Sequence, residues 1–217
     1  MNNMAINQDS RLQPTVTIRQ GTVVGAVQHG LLPGQQPVEA FRGIPYALPP
    51  LGPRRFKRPE KVPDSTDTID ATKFGPTALL KTFIKVGPLL EQSEDCLTAN
   101  VFRQVPSNRN GPLPVMIYLH GGAFNRGTAS MHDTASMVSW SAEPFVAVSF
   151  NYRVGSLGFL PSTVSAREGI LNLGLRDQIL LFEWVQENIE AFGGDKSNIT
   201  LMGLSAGAHS VRVIDCQ

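Results

Sequence analysis

Gly203-Leu204-Ser205-Ala206-Gly207 is the tightest constraint this chain places on its own fold. The pattern Gly-x-Ser-x-Gly puts a serine on a sharp, strained turn between a strand and a helix. Both flanks suit that geometry: Ile199 to Met202 is a short apolar strand, and Ala206, Gly207 and Ala208 are small enough for a helix to start close to the turn. Alone the pattern is weak, because small residues are common. A serine held this way attacks a carbonyl only when a base, usually a histidine oriented by a carboxylate, takes its proton. Where such an elbow works, the acid and then the histidine follow the serine along the chain. Here twelve residues follow Ser205, with His209 before Asp215. The expectation is a nucleophile strand and turn without the downstream acid and histidine. His209, one turn beyond the serine, is expected on the helix surface and not as a replacement base.

A second constellation supports the first. His120-Gly121-Gly122-Ala123-Phe124 follows the apolar run Pro114 to Leu119, and small residues there let backbone N–H groups turn toward a developing oxyanion. Phe145 to Phe150 is another apolar run, and both suit strands of a sheet covered on two faces. Leu181, Val185, Ile189 and Phe192 mark one face of a helix from about Leu175 to Phe192, which Gly193-Gly194 ends. Thr134 to Ser141 reads as a short helix. Thr15 to Gln20 and Thr22 to Gln28 read as a hairpin around Gly21, and Leu32 to Pro63 as too punctuated for long elements. Strand, helix, strand predicts an α/β fold with a mostly parallel central sheet.

Composition adds exclusions. A 217-residue chain with 41% hydrophobic residues can bury a large core, and a formal charge of +1 gives no reason to expect a nucleic acid or an anionic membrane as partner. Arg54, Arg55, Lys57, Arg58 and Lys61 lie among prolines and read as a solvated loop. No membrane span is expected, and residues 1–13 lack the apolar core of a secretory signal. Cys96 and Cys216 match neither a disulfide framework nor a metal site, so no metal or cofactor is expected and the default location is cytoplasmic. The sequon Asn198-Ile199-Thr200 is expected to be buried in a strand. Met116, Met131, Met137, Met202, Trp140 and Trp184 are expected to fill the core, and His120 to brace the glycine loop.

Several further motifs, in order, carry a resemblance. Phe41-Arg42-Gly43-Ile44-Pro45-Tyr46-Ala47, Glu94-Asp95-Cys96-Leu97 with Asn100-Val101, Asn151-Tyr152-Arg153-Val154, Gly158-Phe159-Leu160 and Asn172 to Gln178 resemble the type-B carboxylesterase/lipase family, which includes the cholinesterases. The resemblance implies an α/β-hydrolase fold, represented here by its N-terminal portion and truncated after the elbow. Residues 1–14 are then a polar tail, 15–211 the hydrolase part and 212–217 an aberrant tail. It implies Ser205 as the nucleophile of an acyl-enzyme and the backbone N–H groups of Gly122, Ala123 and Ala206 as the oxyanion hole. It also implies structural ion pairs Arg42–Glu94 and Arg153–Asp177. The substrate would be a small-molecule or lipid ester, with the oligomeric state left open. Two departures stand out: Leu204 occupies a position usually held by Glu, and Phe74 to Leu80 lacks the cysteine that pairs with the Cys96 position in secreted members, so Cys96 is expected as a free, buried thiol. The alternatives to an esterase are a non-catalytic, cholinesterase-like binding protein and a truncated product without function.

Overall fold

The two apolar runs that flank the glycine loop pair with each other inside a six-stranded sheet. The computed structural model describes residues 13–79, 91–105 and 111–215; most of the N-terminal tail, Cys216 and Gln217 lie outside the described residues. The sheet contains β3 (Ala26–Gln28), β4 (Val38–Pro45), β6 (Thr98–Gln104), β7 (Leu113–Leu119), β8 (Val146–Phe150) and β9 (Gly194–Gly203), in the order β3-β4-β6-β8-β7-β9. Every residue of β8 is buried, as a continuous apolar strand covered on both faces requires.

Helices make the parallel pairings possible. The chain passes from β7 to β8 through α1 (Thr134–Trp140), and from β8 to β9 through α2 (Gly155–Gly158), α3 (Thr163–Arg167) and α4 (Leu173–Asn188). Parallel neighbours need crossovers of this length, and β8-β7-β9 are parallel. Asp133 caps α1 by accepting the Ser136 N–H at 3.0 Å. A 3-10 turn, Ile189–Phe192, extends α4 and stops at Gly193 with φ +82°. Leu181, Val185, Ile189 and Phe192 are fully buried in the core beneath β7 and β8, as the helical spacing predicts.

The sheet is mixed where a mostly parallel one is expected. β3–β4, β4–β6 and β6–β8 pair antiparallel, whereas β8–β7 and β7–β9 pair parallel. The hairpin forms but is shorter than expected: β1 (Thr15–Ile18) pairs antiparallel with β2 (Gly21–Val24), Ala26–Gln28 leaves it to become β3 of the larger sheet, and β5 (Thr68–Asp70) adds to β2 in a separate small sheet. The segment thought too punctuated holds the eight-residue β4. Gly43, at φ +74°, sits in a bulge between Phe41 and Ile44, so the strand absorbs its glycine without ending.

Some burial expectations fail. Asn198 is exposed, because β9 is the edge of the described sheet. Met131, Met202 and Trp140 are 60%, 44% and 53% exposed, whereas Trp184 is buried. The helix after the elbow, α5 (Ala206–Asp215), continues past Val211 to Asp215.

Candidate active site

Parallel pairing of β7 and β9 sets Leu119 opposite Gly203, so the two loops that leave these strands emerge side by side. Ser205 lies two residues past the end of β9, in the turn before α5, and its φ of +53° is unusual for a residue with a Cβ. Such a conformation costs about 1–3 kcal/mol and persists only where the surroundings enforce it. Here they do. The Leu204 N–H donates to the Leu119 carbonyl at 3.3 Å, while the Gly207 and His209 N–H groups donate to the Leu204 and Ser205 carbonyls at 2.9 and 3.0 Å. A Cβ on Gly207 would lie 2.1 Å from the Leu119 oxygen, and one on Gly203 2.4 Å from the Gly207 carbonyl carbon. Only glycine lets α5 start this close to β7 and β9. Ser205 is exposed at the apex, and Ala206 is buried behind it.

The loop after β7 reaches the serine. A Cβ on Gly121 would stand 3.1 Å from Ser205 Cβ and 2.6 Å from the Leu204 oxygen. Gly122, Ala123 and Phe124 then take φ values of +121°, +54° and +57°. The Asn125 and Arg126 N–H groups both donate to the Gly122 carbonyl at 3.1 Å, and the Gly155 N–H donates to the Phe124 carbonyl at 2.7 Å. In a trans peptide the C=O and the following N–H point in opposite directions. With the Gly122 carbonyl turned into the loop, the Ala123 N–H is turned out of it.

Beneath the loop lies His120, 1% exposed. Its ring stacks on Tyr152 with centroids 4.3 Å apart, and its Nδ1 is 2.9 Å from the Gly121 oxygen. The Tyr152 hydroxyl donates to the His120 carbonyl at 2.8 Å. Burial pushes the His120 pKa down to about 4, against a smaller upward effect of the Gly121 carbonyl; a charged ring there would have no solvent. Asn151 holds the segment beyond the loop, accepting the Ala129 N–H at 2.8 Å and the Thr128 hydroxyl at 3.1 Å. Of these supports, Asn151 and Tyr152 belong to the Asn151-Tyr152-Arg153-Val154 motif, whereas Gly127 is one that the sequence did not single out. Asn151 and Tyr152 come immediately after β8, the buried strand that neighbours β7.

His209 is exposed on α5, and among the described residues no hydrogen bond engages the Ser205 hydroxyl. The two ion pairs divide. Arg153 and Asp177 pair as expected, with Nε–Oδ2 at 2.8 Å and Nη2–Oδ1 at 2.6 Å, both residues buried. Arg42 and Glu94 do not pair. Glu94 takes two bonds from Arg55, at 2.5 and 2.6 Å, while Arg42 stacks over Phe74 and Phe102 and donates to Gln28 and the Thr72 carbonyl. Loss of water lowers the Arg42 pKa, so aromatic faces and neutral acceptors now stand where a carboxylate was expected. Cys96 is a free, buried thiol, with its pKa pushed up to about 12 by desolvation. Among the described residues no group of three or more His, Cys, Asp or Glu side chains is placed to hold a metal ion.

A model of the carboxylesterase family matches residues 12–215. This chain belongs to the carboxylesterase family. It is 48% identical over 176 residues to secreted lipase 4 of Gibberella zeae, covering 81% of this chain and 32% of that protein. It is 36% identical over 219 residues to secreted triacylglycerol lipase LIP1 of the same organism, covering 91% and 36%. A solved PNB esterase structure superposes with a TM-score of 0.80 at 40% identity, covering 92% of this chain and 40% of that one, and shows the fold to be that of an α/β-hydrolase. The chain thus spans about a third of the length of the curated relatives it matches. The expected cytoplasmic location is overturned. The relatives named here are secreted lipases, and that finding stands against it. Among the described residues no helix is long and apolar enough to cross a membrane.

Proposed function

We propose that this carboxylesterase-family chain carries the nucleophile and the oxyanion hole of a serine ester hydrolase acting on small-molecule or lipid esters. The single observation that carries this reading is Ser205, exposed at φ +53° and in contact range of the glycine loop from the neighbouring strand. Ser205 Oγ attacks the ester carbonyl carbon, and negative charge gathers on the carbonyl oxygen. The N–H groups of Gly122, Ala123 and Ala206 stabilise that oxygen, each worth about 2.7–4 kcal/mol in such sites. Collapse of the tetrahedral species expels the alcohol and leaves the acyl group on Ser205.

The Oγ proton needs a base. A base takes that proton and returns it to the departing alcohol; among the described residues none is hydrogen-bonded to the Ser205 hydroxyl. The test is a fluorophosphonate probe read by intact mass and peptide mapping. One adduct on the Ser205 peptide, absent from Ser205→Ala, is the expected result. A folded chain that takes up no probe overturns the reading and leaves the binding-protein alternative.

A further inference from the structure

We propose that His120 is a positioning residue of this site: neutral and protonated on Nδ1, it locks the Gly121–Gly122 peptide so that the Gly122 N–H faces the oxyanion. The proposal rests on the reading of Ser205 as nucleophile and deepens it.

A carbonyl oxygen can only accept, so the 2.9 Å contact between Nδ1 and the Gly121 oxygen makes Nδ1 the donor. That leaves Nε2 as the bare nitrogen, and Nε2 is buried without a partner among the described residues. An unpaired lone pair is the cheaper orphan; an N–H, or the cation, would bury a donor with no acceptor. One tautomer alone therefore fits the cavity, and the low pKa keeps it neutral at physiological pH. His132 is the other titratable group acting on the ring, and as a second histidine it further opposes a charge on it.

The consequence follows from peptide planarity. The Gly121 carbonyl points inward to Nδ1, and the Gly122 N–H of the same trans peptide points the opposite way. The Tyr152 hydroxyl fixes the preceding carbonyl in the same manner at 2.8 Å, and the Asn125 and Arg126 amides fix the following one at 3.1 Å. Three consecutive carbonyls are held, so the loop's donors are set before any substrate arrives. Gly127 permits this packing: a Cβ there would come within 2.2 Å of the Gly121 oxygen and 2.6 Å of Nδ1.

Two measurements test it. Long-range proton–nitrogen correlation on the intact chain reads the tautomer directly. A neutral ring protonated on Nδ1 between about pH 7 and pH 5 is expected, because the free imidazole titrates near 6.5. A proton on Nε2, or a cation in that range, overturns the proposal. Ser205 labelling rates in two variants supply the functional arm. His120→Leu removes the donor, and His120→Asn keeps one close to the Nδ1 position while losing the stack on Tyr152 as Leu does. Labelling about tenfold slower in His120→Leu, restored to within about threefold in His120→Asn, is the expected result, on the scale of a misaimed oxyanion donor. Equal slowing in both variants means the ring only fills space, and no slowing in either means it aims nothing; both refute positioning. If the unaltered chain does not label at all, the nucleophile reading fails while the tautomer measurement still decides the loop geometry.

Discussion

Replacing Gly207 by alanine should uncouple activity from stability at this site. The new Cβ would lie 2.1 Å from the Leu119 oxygen, 2.7 Å from the Leu119 carbonyl carbon and 2.9 Å from the His120 oxygen, all of them backbone atoms. Ordinary contact begins at 3.4 Å, and none of these atoms can swing away as a side-chain tip would. The first turn of α5 must then retreat by roughly 1 Å. Overpacking of this kind costs about 1–3 kcal/mol, while alanine regains about 1 kcal/mol of helix propensity over glycine, so net destabilisation should stay near 0–2 kcal/mol. The catalytic effect should be larger. Ser205 and the Ala206 N–H both move with the turn, and a displacement of about 1 Å costs on the order of 10²-fold in rate. The assay pairs the fluorophosphonate labelling rate with the urea unfolding midpoint. Ala208→Gly, on the exposed side of the same helix, is the control; it loses about 1 kcal/mol of propensity and should leave the labelling rate unchanged. A Gly207→Ala chain that labels within about threefold of the unaltered protein would show that the close approach of α5 to β7 does not set the serine's position.

Two further outcomes follow from buried charge and a buried thiol. Asp177→Asn leaves the Arg153 guanidinium buried without its carboxylate, which should cost about 3–5 kcal/mol in urea unfolding, and the double variant Arg153→Met/Asp177→Leu should recover most of it; a loss below about 1 kcal/mol would mean the pair behaves as a surface one despite its burial. Cys96 should resist a thiol reagent until the chain unfolds. Its folded pKa, about 12, lies above the ordinary 9.0, so the native state holds its proton where the unfolded state has lost it. Stability is intact below pH 9.0 on this account and falls as pH rises toward about 12, with a limiting slope of about 1.4 kcal/mol per pH unit. Cys96→Ala should flatten that alkaline decline relative to the unaltered chain, and an equally steep decline in both would refute the assignment.

Much of the site can be read from one-dimensional order because its geometry is local. Gly203 to Gly207 and His120 to Phe124 each encode a strand end, a tight turn and small residues within a few positions, and the structure puts both loops on adjacent parallel strands. The α4 face was equally legible, since helical periodicity repeats over sixteen residues. Legibility stops where the partner lies far along the chain. Arg42 and Arg55 both lie far from Glu94 along the chain, and the choice of Arg55 depends on which guanidinium stays in solvent near it and which stacks over Phe74 and Phe102. Strand direction at β4 and β6 is of the same kind, as it is set by the route of the connections and not by the alternation of side chains.

The sequence by itself determined the strained serine turn, the glycine loop that meets it, the buried strands β7 and β8 and the family to which they belong, because backbone strain and apolar periodicity are written in neighbouring residues. Tertiary structure alone decided that His120 is buried against Tyr152 with Nδ1 on the Gly121 carbonyl, that β9 is an edge with Asn198 exposed, and that Arg42 gave up its carboxylate for aromatic faces. Each of these turns on desolvation or on hydrogen-bond direction, and both are properties of an enclosure that forms only when distant segments close around a group.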